Sequence, residues 1–95
     1  MGAILSLDVP TEVAAGDPLV VLPYRELTLQ VVGAGTFELD LEVSLDRTNW
    51  VTAEAGITSA GVVALSPTAK VAYLRCNLLD ATDPPTITVG AGYGS

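Results

Sequence analysis

The sequence predicts an all-β fold: a single small antiparallel β-sandwich of seven or eight short strands, jelly-roll-like in its strand number. Three observations carry this. Apolar residues recur at every second position, the period of a half-buried strand, and no stretch holds a convincing helical stripe. Breakers (Pro10, Gly16-Asp17-Pro18, Pro23, Gly56, Pro67 and Asp83-Pro84-Pro85) divide the alternating segments at the roughly 8–12-residue spacing of sandwich proteins. The chain has 95 residues, enough for one domain and for about eight strands in a compact jelly roll.

In order along the chain, Ile4 to Val9 and Leu19 to Leu22 read as the first two strands. The pattern is weakest over residues 1–23, which are read as an N-terminal arm and first strands available to pack on a neighbour, ahead of a sandwich body over 24–95. Thr11 to Ala15 has room for one helical turn. Glu26 to Val32 places Leu27, Leu29 and Val31 inward; Thr36 to Ser44 sets Phe37, Leu39, Leu41 and Val43 against Glu38, Asp40 and Glu42. The Gly33-Ala34-Gly35 link between them has hairpin composition, so the two strands are expected to pair antiparallel. Asn49 to Glu54 carries Trp50, and Val62 to Ser66 is apolar. Lys70 to Leu79 alternates Val71, Tyr73 and Arg75 with Ala72, Leu74, Cys76 and Leu78; Thr86 to Tyr93 alternates Ile87, Val89, Ala91 and Tyr93 with threonines and glycines. Gly90 to Ser95 has the composition of a fraying end. The expected core contains Phe37, Leu39, Leu41, Leu74, Ile87 and Trp50, the last plugging the end of the core beside its turn.

Composition removes several classes of function. With 4 basic and 11 acidic residues the formal charge is −7, and the pI of about 4.1 argues against nucleic-acid binding. Histidine is absent, which removes Ser-His-Asp and Cys-His catalysis and imidazole metal sites. Cys76 is the single cysteine, so neither an internal disulfide nor a thiolate zinc cluster can form. Apolar runs fall far short of the roughly 20 residues that span a bilayer, and the start lacks the basic region of a secretory signal. Gly2 and Ser6 do match the N-myristoylation pattern, but the acidic surroundings supply no second membrane signal, and no membrane partner is expected. No enzyme, cofactor, metal or small-molecule substrate is expected either. Yet 49% of residues are hydrophobic, only 16% are charged, and mean hydropathy is +0.49. That exceeds what a core this small holds, and suggests burial against other subunits.

Among the polar clusters, Glu38, Asp40 and Glu42 form a row along one strand face. Residues two apart on a strand stand about 6.5–7 Å from one another, a poor cage for a metal, so a solvated face is expected. Arg75 is placed to pair with that acidic strand or with a partner's carboxylate. Cys76, between Leu74 and Leu78 on the apolar face, reads as a buried hydrophobe without an activating neighbour.

The segment Ser44-Leu45-Asp46-Arg47-Thr48-Asn49-Trp50 carries a resemblance, together with Tyr73-Leu74-Arg75 downstream. Asp46 and Asn49 can bond nearby backbone N–H groups and close a tight turn. A strand, Ser-x-Asp-x-Thr-Asn-Trp, then an apolar strand and a Tyr-x-Arg strand resemble small β-sandwich proteins of tailed-phage virions. Those carry an S-x-D-G-T-x-W hairpin followed by a strand ending in V-R or Y-x-R-x. The likeness covers roughly residues 27–92. It departs at Arg47, where those hairpins place glycine, the residue that best accepts a positive-φ turn.

The resemblance implies a non-enzymatic capsid decoration (cement) protein on the virion's outer surface, assembled in the host cytoplasm. Its partners would be the major capsid protein and copies of itself, as a homo-oligomer, trimer or dimer. Contact elements expected on this reading are Ile4, Leu5, Leu7 and Val9 of the arm, and Leu19, Val20, Val21 and Leu22 of the second strand, with strand addition along an exposed edge as the mode. Discoidin-like carbohydrate-binding modules share a similar S-x-D-G-x-x-W turn. A sugar-binding virion or tail accessory with Trp50 as a surface aromatic is therefore the alternative, and a head–tail or tail adaptor a third.

Overall fold

The computed structural model describes residues 3–22, 24, 26–65 and 72–92. Eight strands follow one another: β1 (Ala3–Leu7), β2 (Leu19–Val20), β3 (Glu26–Val32), β4 (Phe37–Ser44), β5 (Val51–Ile57), β6 (Gly61–Leu65), β7 (Tyr73–Ala81) and β8 (Thr86–Gly92). Each strand of the first half pairs antiparallel with its counterpart in the second: β1 with β8, β2 with β7, β3 with β6, β4 with β5. Two further antiparallel pairings, β3–β8 and β4–β7, roll this folded ribbon into two four-stranded sheets. Sheet I runs β1-β8-β3-β6 and sheet II runs β2-β7-β4-β5, the jelly-roll order. The all-β sandwich expected from the sequence is the observed fold.

Strand alternation builds the core. Sheet I contributes Leu7, Leu27, Leu29, Val31, Leu65, Ile87, Val89 and Ala91; sheet II contributes Phe37, Leu39, Leu41, Leu74, Cys76 and Leu78, with Val21 closing one side. Together these residues form one buried cluster, which is what removes a period-two stripe from water.

The pairing of β3 with β4 does not occur. The two strands lie in different sheets, and Gly33-Ala34-Gly35 crosses between them. Neither Gly33 nor Gly35 takes the positive φ that a two-residue hairpin needs. Their missing side chains serve close approach instead. A Cβ on Gly33 would lie 3.2 Å from Pro85, and one on Gly35 would collide with Asp83, both on the β7–β8 connection. The two inter-sheet crossings are tied together: Thr82 N–H donates to the Thr36 carbonyl (2.9 Å) and Thr36 N–H to the Thr82 hydroxyl (3.2 Å).

Thr11 to Ala15 forms no helical turn. Leu78 N–H donates to the Ala14 carbonyl (2.9 Å), Gly16 N–H to the Cys76 carbonyl (2.7 Å) and Val21 N–H to the Ala72 carbonyl (2.8 Å), so residues 14–21 form an interrupted edge strand along β7. The interruption at Gly16-Asp17-Pro18 packs on the end of β1, where the Asp8 carboxylate accepts from Asp17 N–H at 2.9 Å. A Pro-containing, broken edge of this kind discourages pairing with foreign strands. Expectations placed on Gly2, Pro23, Ser66, Pro67, Lys70, Val71, Tyr93 and the last two residues lie outside the described residues.

Candidate interaction surfaces

The β4–β5 turn is built around two side chains. Ser44, buried at the end of β4, accepts from the backbone N–H of Asp46 (3.2 Å) and Arg47 (2.9 Å) and donates to Asp46 Oδ1 (3.0 Å). Asp46 Oδ1 also accepts from the N–H groups of Thr48 (2.9 Å) and Asn49 (2.8 Å), while Oδ2 accepts from Asn49 Nδ2 (2.7 Å). These bonds favour the carboxylate and hold Asp46 well below its ordinary pKa, the Asn49 backbone bond contributing most. Arg47 adopts φ +67°, so the left-handed turn forms without glycine. Beside it lies a shallow recess of about 280 Å³ lined by Val43, Ser44, Leu45, Asp46, Asn49 and Val51.

The outer face of sheet II carries the acidic row. Arg75 Nε contacts Glu42 Oε1 at 2.6 Å, and Asn77 Nδ2 donates to Glu42 Oε2 at 3.4 Å. Asp40 Oδ1 accepts from Gly56 N–H (2.9 Å), at the irregular stretch where β4 and β5 slip register and Gly56 has φ +69°. Glu38 and Asp80 sit opposite each other in register. Among the described residues no group of acidic or cysteine side chains is arranged to hold a metal ion.

Trp50 is on this outer side and not in the core. The Arg75 guanidinium lies over its ring, 4.2 Å from the centroid. Because Leu74 and Cys76 point inward, Arg75 points outward, and a ring stacked on it lies outside with it. Trp50 is half-buried and one ring face is occupied. Phe37, Leu39, Leu41, Leu74 and Ile87 are buried as expected. A stacked sugar would need free aromatic faces; Phe37 is inside, and Tyr24 and Tyr73 are partly covered. Cys76 is fully buried, and loss of solvent, reinforced by the charges of Asp8, Asp40 and Glu42, pushes its thiol up to about 12, far from a reactive thiolate.

The contact residues expected from the sequence divide by strand face. Leu7 and Val21 are core; Leu5, Val9 and Leu19 pack partly buried against it. Ile4, Val20 and Leu22 remain exposed. These three do not form one patch by strand order, since Ile4 belongs to the edge of sheet I and Val20 to the edge of sheet II.

One surface escaped the sequence reading. The outward positions of sheet I are Ile4 and Ser6 on β1, Thr86, Thr88, Gly90 and Gly92 on β8, Glu26, Thr28, Gln30 and Val32 on β3, and Val62 and Ala64 on β6. Glu26 is the one charge among them, in a chain of net charge −7. A shallow groove of about 350 Å³ crosses this face. The signal lay in the small, uncharged outer residues of four separate segments, and only the strand order assembles them.

No family model matches the chain, and no curated protein does. Among solved structures, the crystal structure of SPBc2 prophage-derived protein YomS is similar in fold, with a TM-score of 0.76 over 96% of this chain and 92% of that one, at 12% sequence identity. The likeness is one of fold, end to end, and it places the chain among proteins with this sandwich.

Proposed function

We propose that the chain is a structural protein of a phage virion, and specifically a decoration protein that binds the major capsid protein on the outer shell as a homo-oligomer. The observation that carries this reading is the end-to-end likeness of fold to a prophage-derived protein. Two features add support. The hairpin resembling those of phage sandwich proteins is built here with the left-handed turn that glycine gives its counterparts. The candidate chemistry is that of contact: a buried inert thiol, Glu42 in an ion pair with Arg75, and one oxygen of Asp40 bonded to the Gly56 backbone N–H.

The capsid-facing side is the outer side of sheet II. Glu38, Asp40 and Asp80 offer negative charge to a basic patch, and exposed Val20 and Leu22 on the adjoining edge supply apolar contact. Charge complementarity of this kind sets orientation and on-rate, while many weak contacts across a shell act together. Arg75 and Glu42 neutralise each other and hold the Trp50 ring in place.

Gradient sedimentation of the native lysate, with this protein followed by mass spectrometry, tests the reading. Co-migration with nuclease-resistant particles in many copies each is the expected result. A few copies per particle would point to a head–tail or tail adaptor, and recovery only at the top of the gradient would remove the virion role.

A further inference from the structure

We propose that the uncharged outer face of sheet I is the surface on which a second copy of this chain docks, face to face. The inference rests on the oligomeric part of the reading above and gives it a location. It starts from charge. Two copies each carrying −7 repel wherever their acidic surfaces meet, and carboxylates line the outer side of sheet II. On sheet I the outward rows Ile4–Gly90–Thr28–Ala64 and Ser6–Thr88–Gln30–Val62 carry no charge, and Glu26 stands at the end of β3. Packing these faces together points both acidic faces outward. The thinnest dimension of the molecule is 18 Å, so the two acidic faces would be separated by well over the Debye length of about 8 Å at physiological salt. A basic partner finds its complement on sheet II instead, which leaves the neutral face to an equally neutral one.

Shape agrees. Ile4 on one edge strand is 77% exposed and Val62 on the other is 70% exposed. Between them Thr28, Gln30, Thr88 and Gly90 line the groove. A Cβ on Gly90 would meet only the Thr28 carbonyl oxygen at 3.7 Å and Ile4 Cδ1 at 3.9 Å, so the Ile4 side chain leans beside a low floor. A raised apolar side chain next to a shallow floor is self-complementary under a two-fold axis, the isologous arrangement of most homodimers. Thr28, Thr88 and Gly90 keep three of the four central positions small, with Gln30 the one long side chain there, which suits the roughly 10 Å sheet-to-sheet spacing of packed sheets.

Area sets the strength. Four strands about 4.8 Å apart and about six residues long give a face of roughly 400 Å² per copy. A standard stable interface uses about 800 Å² per partner, so association is concentration-dependent and becomes complete where copies are crowded, as on a shell.

Sedimentation equilibrium of the purified full chain from micromolar to about 1 mM tests this without any capsid. The expected result is a weight-average mass that climbs toward twice the monomer. Thr88→Glu and Gln30→Glu, each placing a charge in the centre of the face, should weaken association by about tenfold or more, because an unpaired charge would be buried at the contact. Thr11→Glu, which adds the same charge on an exposed loop, should associate as the parent does. Circular dichroism and melting of each variant confirm the fold before its mass is read. A parent chain that stays monomeric to the highest concentration, or folded Thr88→Glu and Gln30→Glu chains that associate unchanged, would overturn the proposal. Either result leaves co-migration with particles as a separate reading, since the lysate gradient measures capsid association and this experiment does not.

Discussion

Arg47 occupies a backbone region that costs an L side chain about 1–2 kcal/mol. The turn keeps it there because Ser44 and Asp46 bind four consecutive backbone N–H groups, those of residues 46 to 49. Replacing Arg47 with glycine removes the strain and gives back part of the gain as unfolded-chain entropy. Arg47→Gly is expected to stabilise by about 0.5–1 kcal/mol, read as a melting temperature a few degrees higher. Asp46 binds protons more weakly folded than unfolded, because its pKa is lowered from 3.8 by those bonds. Its contribution is therefore complete above the unfolded pKa and is lost as pH falls through and below it. Melting curves of the parent and Asp46→Asn should differ at neutral pH and converge toward pH 2, and a gap that widens in acid would contradict the assignment. At Trp50 the outer placement sets the magnitude. Trp50→Ala should cost about 1 kcal/mol, the scale of a partly exposed cation–π contact, whereas Leu39→Ala in the fully buried core should cost about 2–5 kcal/mol. Urea unfolding of the two variants separates them.

At the scale of elements, apolar alternation together with the breakers locates all eight strands to within a few positions. The exception among the breakers is Gly56, which lies inside β5, where its positive φ serves the irregular pairing with β4. β3 and β8 also show the inward residues that alternation assigns them, Leu27, Leu29 and Val31, and Ile87, Val89 and Ala91. What alternation does not contain is pairing. A glycine-rich link looks the same whether it needs positive φ for a hairpin or bare backbone for a close crossing. Only Pro85 and Asp83, some fifty positions away in sequence, reveal that Gly33 and Gly35 serve the second purpose. Trp50 was misplaced for a related reason: its partner Arg75 comes from β7, and a large aromatic in a small protein is a core residue by default. The neutral face of sheet I was invisible because its residues come from four strands that neighbour one another only after the ribbon rolls. Gly16 shows the same dependence. A Cβ there would collide with the Asp8 carbonyl oxygen at the break in the β2 edge. Gly16→Ala should destabilise by about 1–3 kcal/mol, the usual range for overpacking against backbone, and should speed hydrogen exchange at Gly16 and Asp17 ahead of the rest of β7's partners. Exchange unchanged at those amides would contradict the packing.

For the whole molecule, the two sheets divide the surface by charge. Sheet II turns several carboxylates outward, whereas sheet I turns threonine, serine, glutamine, glycine and aliphatic side chains outward, with Glu26 at one end of β3 its single charge. On the function proposed above, such a division would give a small acidic protein two distinct sides, one to meet a basic surface and one to meet a second copy. It also accounts for an apolar content above what a sandwich of this size encloses: Ile4, Val20, Leu22, Val32 and Val62 are all exposed in the single chain. As a decoration protein, its mechanism would be mechanical, with each junction covered by a copy harder to separate and the effect summed over the shell. The most direct measurement adds the purified chain back to virions that lack it and follows the temperature at which the shells release their DNA. A saturable rise in that temperature, reduced when Glu38, Asp40 and Asp80 are replaced by lysine, is the result a decoration role requires. Shells that neither retain the protein nor change their release temperature at saturating concentrations would contradict it.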